Sequence, residues 1–325
     1  MKVLITGYGG FVAPYVIEAL RNNFGPSAVI LATHHRAVAC SGADEVRVVD
    51  VNDMRAVNEV VAAFRPDHFI HLAAVSQIPA AAADAAAAWR TNVMGTLNCA
   101  RAVLEFARNA TFIFASTGHV YGDGPHRHTE ESPLAPVNEY GATKAAADLA
   151  LGALVTRGLR AIRLRSFNHT GPRQSEMFVV PSFAAQIARL ERGGSPAVMR
   201  VGDLAAERDF LDVRDVAEAY ALTVHQAKDI SSGTAFNICS GRLVKVRTIL
   251  EELVALARRP IAIEIDPARL RRSDLSISHG DPTRCQRMLD WKPRYTLQRT
   301  LSDVLEFQRN LVNLQQSPQD GAEAR

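Results

Sequence analysis

The first half of the chain alternates short apolar runs with amphipathic segments, and turn-forming residues separate them. The apolar runs predict strands at residues 2–6, 28–32, 46–49, 68–73, 111–115 and 160–165. Between them, apolar residues recur at helical spacing and predict helices at residues 11–22, 54–64, 84–108 and 138–156. Such alternation is typical of βα units around a doubly wound parallel sheet, which we predict for residues 1–166.

The second half of the chain follows a looser pattern. Its apolar runs are shorter, prolines interrupt them, and the last residues are polar. We predict a smaller C-terminal, substrate-binding lobe in residues 167–314, with some elements returning to the sheet, and a polar tail in 315–325. A chain of 325 residues is long enough for two such parts.

Composition and charge exclude several classes of protein. With 47% hydrophobic and 22% charged residues, the chain has the composition of a globular protein rather than a disordered one. A net charge of +3 without blocks of like charge gives no reason to expect a nucleic-acid partner. The apolar runs are too short for a membrane span or a secretory signal, so we predict a cytoplasmic protein. Four widely spaced cysteines predict neither a metal site nor a disulfide framework.

A glycine-rich turn directly follows the first predicted strand. Residues 7–13 read GYGGFVA, a GxxGxxA pattern between a strand and a helix. Gly7 permits a tight turn, Gly10 lets the backbone approach a pyrophosphate at the helix N-terminus, and Ala13 allows close helix packing. The position of this turn predicts a dinucleotide site, and with it a Rossmann domain.

The end of the second strand bears on which dinucleotide binds. A carboxylate there would hydrogen-bond the adenosine ribose and favour NAD, but this segment reads Thr33-His34-His35-Arg36. A nearby cation attracts a ribose 2′-phosphate, so the sequence favours NADP(H), with NAD(H) the other possibility. The alternative is that Arg36 and the histidines form a solvated loop.

A YxxxK pattern, Tyr140 to Lys144, lies on the helix predicted at 138–156. The i,i+4 spacing puts both side chains on one helix face, where the lysine charge would lower the pKa of the tyrosine. Such a tyrosine can move a proton near neutral pH. Ser116 and Thr117 end the preceding strand and supply hydroxyl groups at the sheet edge where α/β proteins bind ligands.

Together these segments resemble the extended short-chain dehydrogenases/reductases that act on nucleotide sugars. The similarity covers most of the chain and is greatest to the branch of GDP-mannose 4,6-dehydratases and GDP-4-keto-6-deoxy-D-mannose reductases. Further matching segments are Asp50-Val51, His71-Leu72-Ala73-Ala74, NVMGT at 92–96, FNHTGP at 167–172, RDFLDV at 208–213, NICSG at 237–241 and WKP at 291–293.

The resemblance implies roles for individual residues. It implies that Thr117, Tyr140 and Lys144 are catalytic. The cofactor would contact Gly7, Gly10, Phe11, Val12, Arg36, Asp50, Val51, Leu72, Ala73, Ala74, Tyr140 and Lys144. The sugar nucleotide would contact Ser76, Thr117, His119, Asn168, Val179, Arg208 and Arg271, with the two arginines at its diphosphate. The alternatives are that Asp50 caps the next helix, Asn168 caps a turn and the arginines form surface ion pairs.

One departure from the family pattern is informative. Dehydratases of this family carry glutamate, often as Asp-Glu, after the catalytic threonine, whereas this chain has Gly118 and His119. The resemblance therefore implies an NADPH-dependent 4-ketoreductase acting on a nucleotide-linked 4-keto-6-deoxyhexose, GDP-linked by preference. A 4-epimerase with tightly held NAD is the main alternative, followed by a dehydratase and a non-catalytic binding protein. The helices at 84–108 and 138–156 resemble those that pair in dimers of the family, which predicts a homodimer.

Overall fold

A computed structural model describes residues 1–124, 126–193, 197–270 and 275–314 of the chain. Two of the sequence predictions, the substrate contact at Arg271 and the tail at 315–325, lie outside these residues. The strands are β1 Lys2–Thr6, β2 Val29–His34, β3 Glu45–Val48, β4 His68–His71, β5 Thr111–Thr117, β6 Arg160–Ser166, β7 Asn168–Thr170, β8 Val198–Val201, β9 Glu207–Asp212, β10 Ala235–Ile238, β11 Leu243–Lys245, β12 Ala262–Ile265 and β13 Ile277–Ser278.

The helices lie mostly between these strands. They are α1 Ala13–Phe24, α2 Met54–Phe64, α3 Ile78–Ala83, α4 Ala85–Trp89, α5 Thr96–Phe106, α6 Glu139–Val155, α7 Val179–Glu191, α8 Val213–His225, α9 Val246–Ala255, α10 Thr283–Leu289 and α11 Leu297–Leu314. None of these described helices combines the length and the apolar character needed to cross a bilayer.

Within the described residues, seven strands form one parallel sheet in the order β10-β6-β5-β4-β1-β2-β3. The chain starts in the middle of the sheet, runs to one edge and then returns to build the other half. This is the strand order of a doubly wound Rossmann fold, so the predicted fold class is confirmed. The carboxyl ends of β1, β4 and β5 meet at one edge, which is where such folds bind ligands.

Both faces of the sheet are covered by helices, as the nearly continuous apolar strands require. Val3 and Ile5 of β1 belong to the apolar cluster that contains α1 and α8, whereas Leu4 belongs to the cluster on the other face, with α2, α5 and α6. This alternation follows from the period of two along a strand. The sheet therefore fixes the ends of β1, β4 and β5 between two packed layers.

The described chain divides into two compact units. The first contains Met1–His169, Arg208–Leu243 and residues 275–294, and it holds the parallel sheet. The second contains Thr170–Glu207 and the described residues of 244–273 and 295–314. In the second unit α7, α9 and α11 pack together, and Arg309 joins them by donating to Glu191 at 2.7 Å and to the Leu256 carbonyl at 2.9 Å.

The prediction of one continuous helix at residues 84–108 is wrong. Asp84 accepts a hydrogen bond from the Ala87 amide at 2.9 Å and starts α4, and a π-helical turn, Arg90–Gly95, separates α4 from α5. The helical spacing is present in the sequence, but an aspartate N-cap and one wider turn interrupt it. The wider turn carries Asn92, which lies beside the candidate site.

Candidate active site

The glycine-rich turn has the geometry that a dinucleotide requires. Gly7 has φ of 79°, and a Cβ atom there would lie 2.6 Å from the Ala73 backbone nitrogen, so only glycine fits. The Gly10 amide donates to the Gly7 carbonyl at 2.9 Å. A Cβ on Gly10 would meet only that carbonyl, at 3.1 Å, and would otherwise enter open space above the start of α1. This space at a helix N-terminus fits a pyrophosphate.

Other predicted cofactor contacts surround this turn. Leu72 and Ala73 follow β4, are half-buried, and touch Gly7 through their backbone. Phe11 stacks on the His169 ring with centroids 6.2 Å apart and planes at 6°. The remaining positions are Val12 and Ala74, both half-buried. Ser76, which we predicted to contact the sugar nucleotide, is exposed. The structure thus gathers most of the predicted set at one sheet edge, while their contacts with a cofactor remain predictions.

Two residues after β3 have different surroundings. Asp50 is exposed, and its Oδ1 atom accepts from the Asn52 backbone and side-chain nitrogens at 2.9 and 3.0 Å. It is not the cap of α2, because Asp53 accepts from the first amides of that helix. Val51 is buried, and a Cβ atom on Gly95 would come within 2.7 Å of its side chain. Asp50 is therefore available for the cofactor contact that we predicted.

Tyr140 and Lys144 lie in the first turns of α6, next to the end of β5. Asn138 starts this helix by accepting from the Gly141 amide at 2.8 Å. Tyr140 is half-buried, and Thr117, the last residue of β5, lies near enough to its hydroxyl to lower the tyrosine pKa. The Lys144 side chain is buried, with Nζ 4.1 Å from the centre of the Phe114 ring. The three predicted catalytic residues are thus brought together.

The electrostatics of the pair differ from the sequence-based expectation. Burial raises the pKa of Tyr140 to about 12, while the nearby Thr117 side chain partly opposes the shift. Burial lowers the pKa of Lys144 to about 7, and the Asp148 carboxylate opposes that shift. The expected lowering of the tyrosine pKa by Lys144 is therefore wrong for this structure. Tyr140 keeps its proton at neutral pH, which is the state that a proton donor needs.

A buried ion-pair network one turn beyond Lys144 was not foreseen from the sequence. Asp148 accepts from Arg163 at 2.8 Å, from Arg165 at 2.9 and 3.1 Å, and from the Ser116 hydroxyl at 2.8 Å. Burial alone would raise the pKa of Asp148, but the two arginines lower it below its usual value. The network ties α6 to β5 and β6, and Asp148 favours the charged form of Lys144.

Asn92 in the π-helical turn is a second residue that the sequence did not single out as part of the site. Its Oδ1 accepts from the Val75 amide at 2.8 Å, and its Nδ2 donates to the Val75 carbonyl at 3.1 Å and to the Thr143 hydroxyl at 2.9 Å. It therefore fixes the segment after β4 against α6. The signal for it in the sequence was the family-matching segment NVMGT at 92–96, which begins with Asn92.

His119 lies beside the catalytic tyrosine. Its ring meets the Tyr140 ring edge-on with centroids 5.9 Å apart, and its amide donates to the Thr117 hydroxyl at 3.3 Å. Burial and the Arg208 charge lower the pKa of His119 to about 4. A neutral imidazole with so low a pKa is a weak base at neutral pH.

The predicted sugar-nucleotide contacts are described only in part. Arg208 on β9 is buried, and its guanidinium donates to the Ser276 carbonyl at 3.0 Å and to the Leu275 carbonyl. Asn168 starts β7 and is half-buried, and Val179 starts α7 in the second unit. Arg208 is buried, so it is not a surface residue; its role at a diphosphate stays a prediction.

The parallel sheet, the glycine-rich turn after β1 and the Thr117-Tyr140-Lys144 group define a dinucleotide-dependent enzyme of the short-chain dehydrogenase/reductase class. A family model described as GDP-mannose 4,6 dehydratase matches residues 4–304, and the chain belongs to this family. The sequence is 33% identical to a GDP-6-deoxy-D-mannose reductase of Pseudomonas aeruginosa over 309 residues, which cover 94% of this chain and 96% of that one.

Two solved structures share the fold over nearly their full length. RMD from Pseudomonas aeruginosa complexed with NADPH has a TM-score of 0.80 and 30% identity, covering 95% of this chain and 99% of that one. UDP-glucose 4-epimerase of Thermus thermophilus in complex with NAD has a TM-score of 0.83 and 27% identity, covering 95% and 99%. The chain is thus similar to both a reductase and an epimerase.

Proposed function

We propose that this protein reduces the C4 ketone of a nucleotide-linked 4-keto-6-deoxyhexose with NADPH. The favoured substrate is GDP-4-keto-6-deoxy-D-mannose, and the product is GDP-D-rhamnose or GDP-6-deoxy-D-talose. The name of the Pseudomonas relative and the NADPH of the similar structure support this reading. A reaction between these metabolites would take place in the cytoplasm.

The side chains at the end of β5 fit this reaction. When bound, NADPH supplies the hydride that the C4 carbon accepts. Tyr140 gives its hydroxyl proton to the carbonyl oxygen, and with its raised pKa the tyrosine carries that proton at neutral pH. The Thr117 side chain lies beside the tyrosine hydroxyl and would help to stabilise the oxygen that accepts the proton. Lys144 lies one helical turn from Tyr140, and its pKa of about 7 lets it carry a proton near neutral pH.

The observation that carries the choice of reduction is the residue pair after Thr117. Loss of water from a GDP-hexose needs a base for a carbon-bound proton and an acid for the leaving hydroxide. Here those positions hold Gly118, which has no side chain, and His119, whose pKa is about 4. Reduction of an existing ketone needs only a hydride and the proton of Tyr140. The geometry therefore favours reduction over dehydration.

The assay that tests this function offers the purified protein three substrates separately. GDP-4-keto-6-deoxymannose should consume one NADPH for each product formed, and GDP-mannose should stay intact. A 4-keto-6-deoxy sugar formed from GDP-mannose would overturn the reductase assignment in favour of a dehydratase. Conversion of UDP-glucose without loss of NADPH, by protein that retains NAD through purification, would instead identify an epimerase, the activity named for the Thermus thermophilus structure.

For the nucleotide end of the substrate, we predict that Arg208→Ala weakens GDP binding by about 1.5 to 3 kcal/mol, the worth of a hydrogen bond to a charged group. Calorimetric titration should show unchanged NADPH affinity. Arg208→Lys keeps the charge and should lose less of the affinity for GDP than Arg208→Ala. Arg200→Ala, at an exposed arginine of β8, serves as the control. Equal GDP affinity in wild type and Arg208→Ala would show that Arg208 does not bind the diphosphate.

We also propose that the protein forms a homodimer through α4, the π-helical turn and α6. Large apolar side chains are exposed on these elements: Trp89, Met94 and Leu149. A second copy would bury them. Sedimentation of the wild type should give a dimer and Leu149→Arg a monomer; a monomeric wild type would contradict the proposal.

A further inference from the structure

His34 is the last residue of β2 and lies directly over the glycine-rich turn. The Tyr8 amide donates to the Thr33 carbonyl at 3.1 Å, which holds the turn against the end of β2. A Cβ atom on Gly9 would lie 2.6 Å from His34 Nε2, so the imidazole occupies the space that a side chain at position 9 would fill. His34 thus lies at the strand end where Rossmann proteins carry the carboxylate that binds the adenosine ribose.

The other ring nitrogen is held by the backbone of Arg36. Nδ1 of His34 lies 3.2 Å from the Arg36 carbonyl oxygen and 3.4 Å from the Arg36 amide nitrogen. When Nδ1 carries a proton it donates to the carbonyl, and when it does not it accepts from the amide. Both arrangements leave the ring in place, and in the charged form Nε2–H is a donor on the side of the turn. Arg36 itself is exposed.

We propose that His34 binds the 2′-phosphate of NADPH and that protonation of this histidine sets the preference for NADPH over NADH. The proposal rests on the use of NADPH put forward above. It assigns Arg36 the weaker part, because an exposed guanidinium is screened by solvent while His34 is half-buried against the turn.

The charges around His34 determine the sign of the pH effect. Burial lowers the pKa of His34, and the neighbouring His35 and Arg36 charges lower it further, while the Arg36 carbonyl opposes them. Other titratable groups on the adjoining segments are Tyr8, whose hydroxyl accepts from the Ser41 amide, Cys40, Glu45 and Arg47 on β3, and Asp50 beyond its end.

His34 is therefore mostly neutral in the free protein near neutral pH. A phosphate dianion close to the ring would favour the charged form. Binding of NADPH should then take up a proton, and binding of NADH should not. By linkage, the affinity for NADPH relative to NADH falls as the pH rises from about 6 to about 8. Ionisation of the phosphate, with a pKa near 6, acts in the opposite direction. In this proposal a fall in relative NADPH affinity with rising pH therefore comes from His34.

The test measures cofactor binding without any sugar nucleotide. Titration calorimetry with NADPH and NADH at pH 6, 7 and 8, in buffers of different ionisation enthalpy, gives both affinities and the protons taken up. Wild type should take up protons with NADPH alone. His34→Gln should lose this uptake and bind NADPH about tenfold more weakly, the effect of one charged hydrogen bond, while NADH binding, which also reports folding, changes less than twofold.

Two matched variants separate His34 from its neighbours. The His35 ring lies 4.2 Å from the His34 ring between centroids, with the planes tilted by 38°. Because His35 is exposed, His35→Gln should keep the proton uptake. Arg36→Ala should weaken NADPH binding at every pH, and it should also keep the proton uptake. The proposal is overturned by undiminished proton uptake in His34→Gln, by equal NADPH affinity in this variant and wild type, or by a wild type that binds NADH alone. If these results hold but no keto sugar is reduced, the proposed function fails and the role of His34 stands.

Discussion

Tyr140→Phe should still bind NADPH while its turnover of a 4-keto sugar falls by about two to four orders of magnitude. The substitution removes one oxygen atom, the proton donor beside the Thr117 side chain. Phenylalanine keeps the ring that packs edge-on against His119. The loss should therefore appear in kcat, measured by NADPH absorbance at saturating substrate, with little change in NADPH affinity.

Tyr295→Phe is the matched control, since this exposed tyrosine belongs to the second unit and should tolerate the same change. If Tyr140→Phe keeps a rate close to that of the wild type with the 4-keto sugar, Tyr140 is not the proton donor and the catalytic assignment fails.

The sequence predicted those parts of the fold whose signals are local. The bounds of β1 and α2 agree with the predicted residues 2–6 and 54–64. In β1 the apolar run ends at the glycine turn, and in α2 the side chain of Asp53 starts the helix, so neighbouring residues mark these boundaries. The π-helical turn at Asn92 depends instead on hydrogen bonds to Val75, 17 positions away, which no local pattern reveals.

The same distinction holds in the site. The spacing of Tyr140 and Lys144 predicted a shared helix face, and Lys144 indeed lies one turn after Tyr140 in α6. The pKa values of the pair could not be predicted, because they depend on burial under neighbouring segments and on Asp148. Likewise the sequence drew attention to the charge of Arg36, whereas the side chain held against the turn is that of His34.

The buried network around Asp148 shows why residues distant in sequence matter to the site. Arg163 and Arg165 are two positions apart on β6, so both side chains lie on the same face of the sheet, the one that carries α6. Their two charges meet the single Asp148 carboxylate, which Ser116 of β5 also contacts. The helix that carries Tyr140 and Lys144 is thereby fixed to the strand that ends in Thr117.

Asp148→Asn should lower the free energy of unfolding by about 3 to 5 kcal/mol, because it leaves two arginines near β6 without their buried counter-charge. Glu59→Gln, which removes an exposed ion pair with Arg55 on α2, is the control and should cost about 0.5 kcal/mol or less. Urea denaturation followed by circular dichroism measures both. If the two variants lose similar stability, the buried network does not hold α6 in place.

The pH dependence of this effect has a definite sign. The arginines lower the pKa of Asp148 in the folded protein, so its stabilisation is fully present above the unfolded value of about 4 and is lost as the pH falls through the lower folded value. Asp148→Asn removes that titration, so the difference in unfolding free energy between wild type and variant should be constant from pH 8 to about 5 and shrink below 4. A difference that grows on acidification would show that Asp148 is protonated in the folded protein and would contradict the ion-pair assignment.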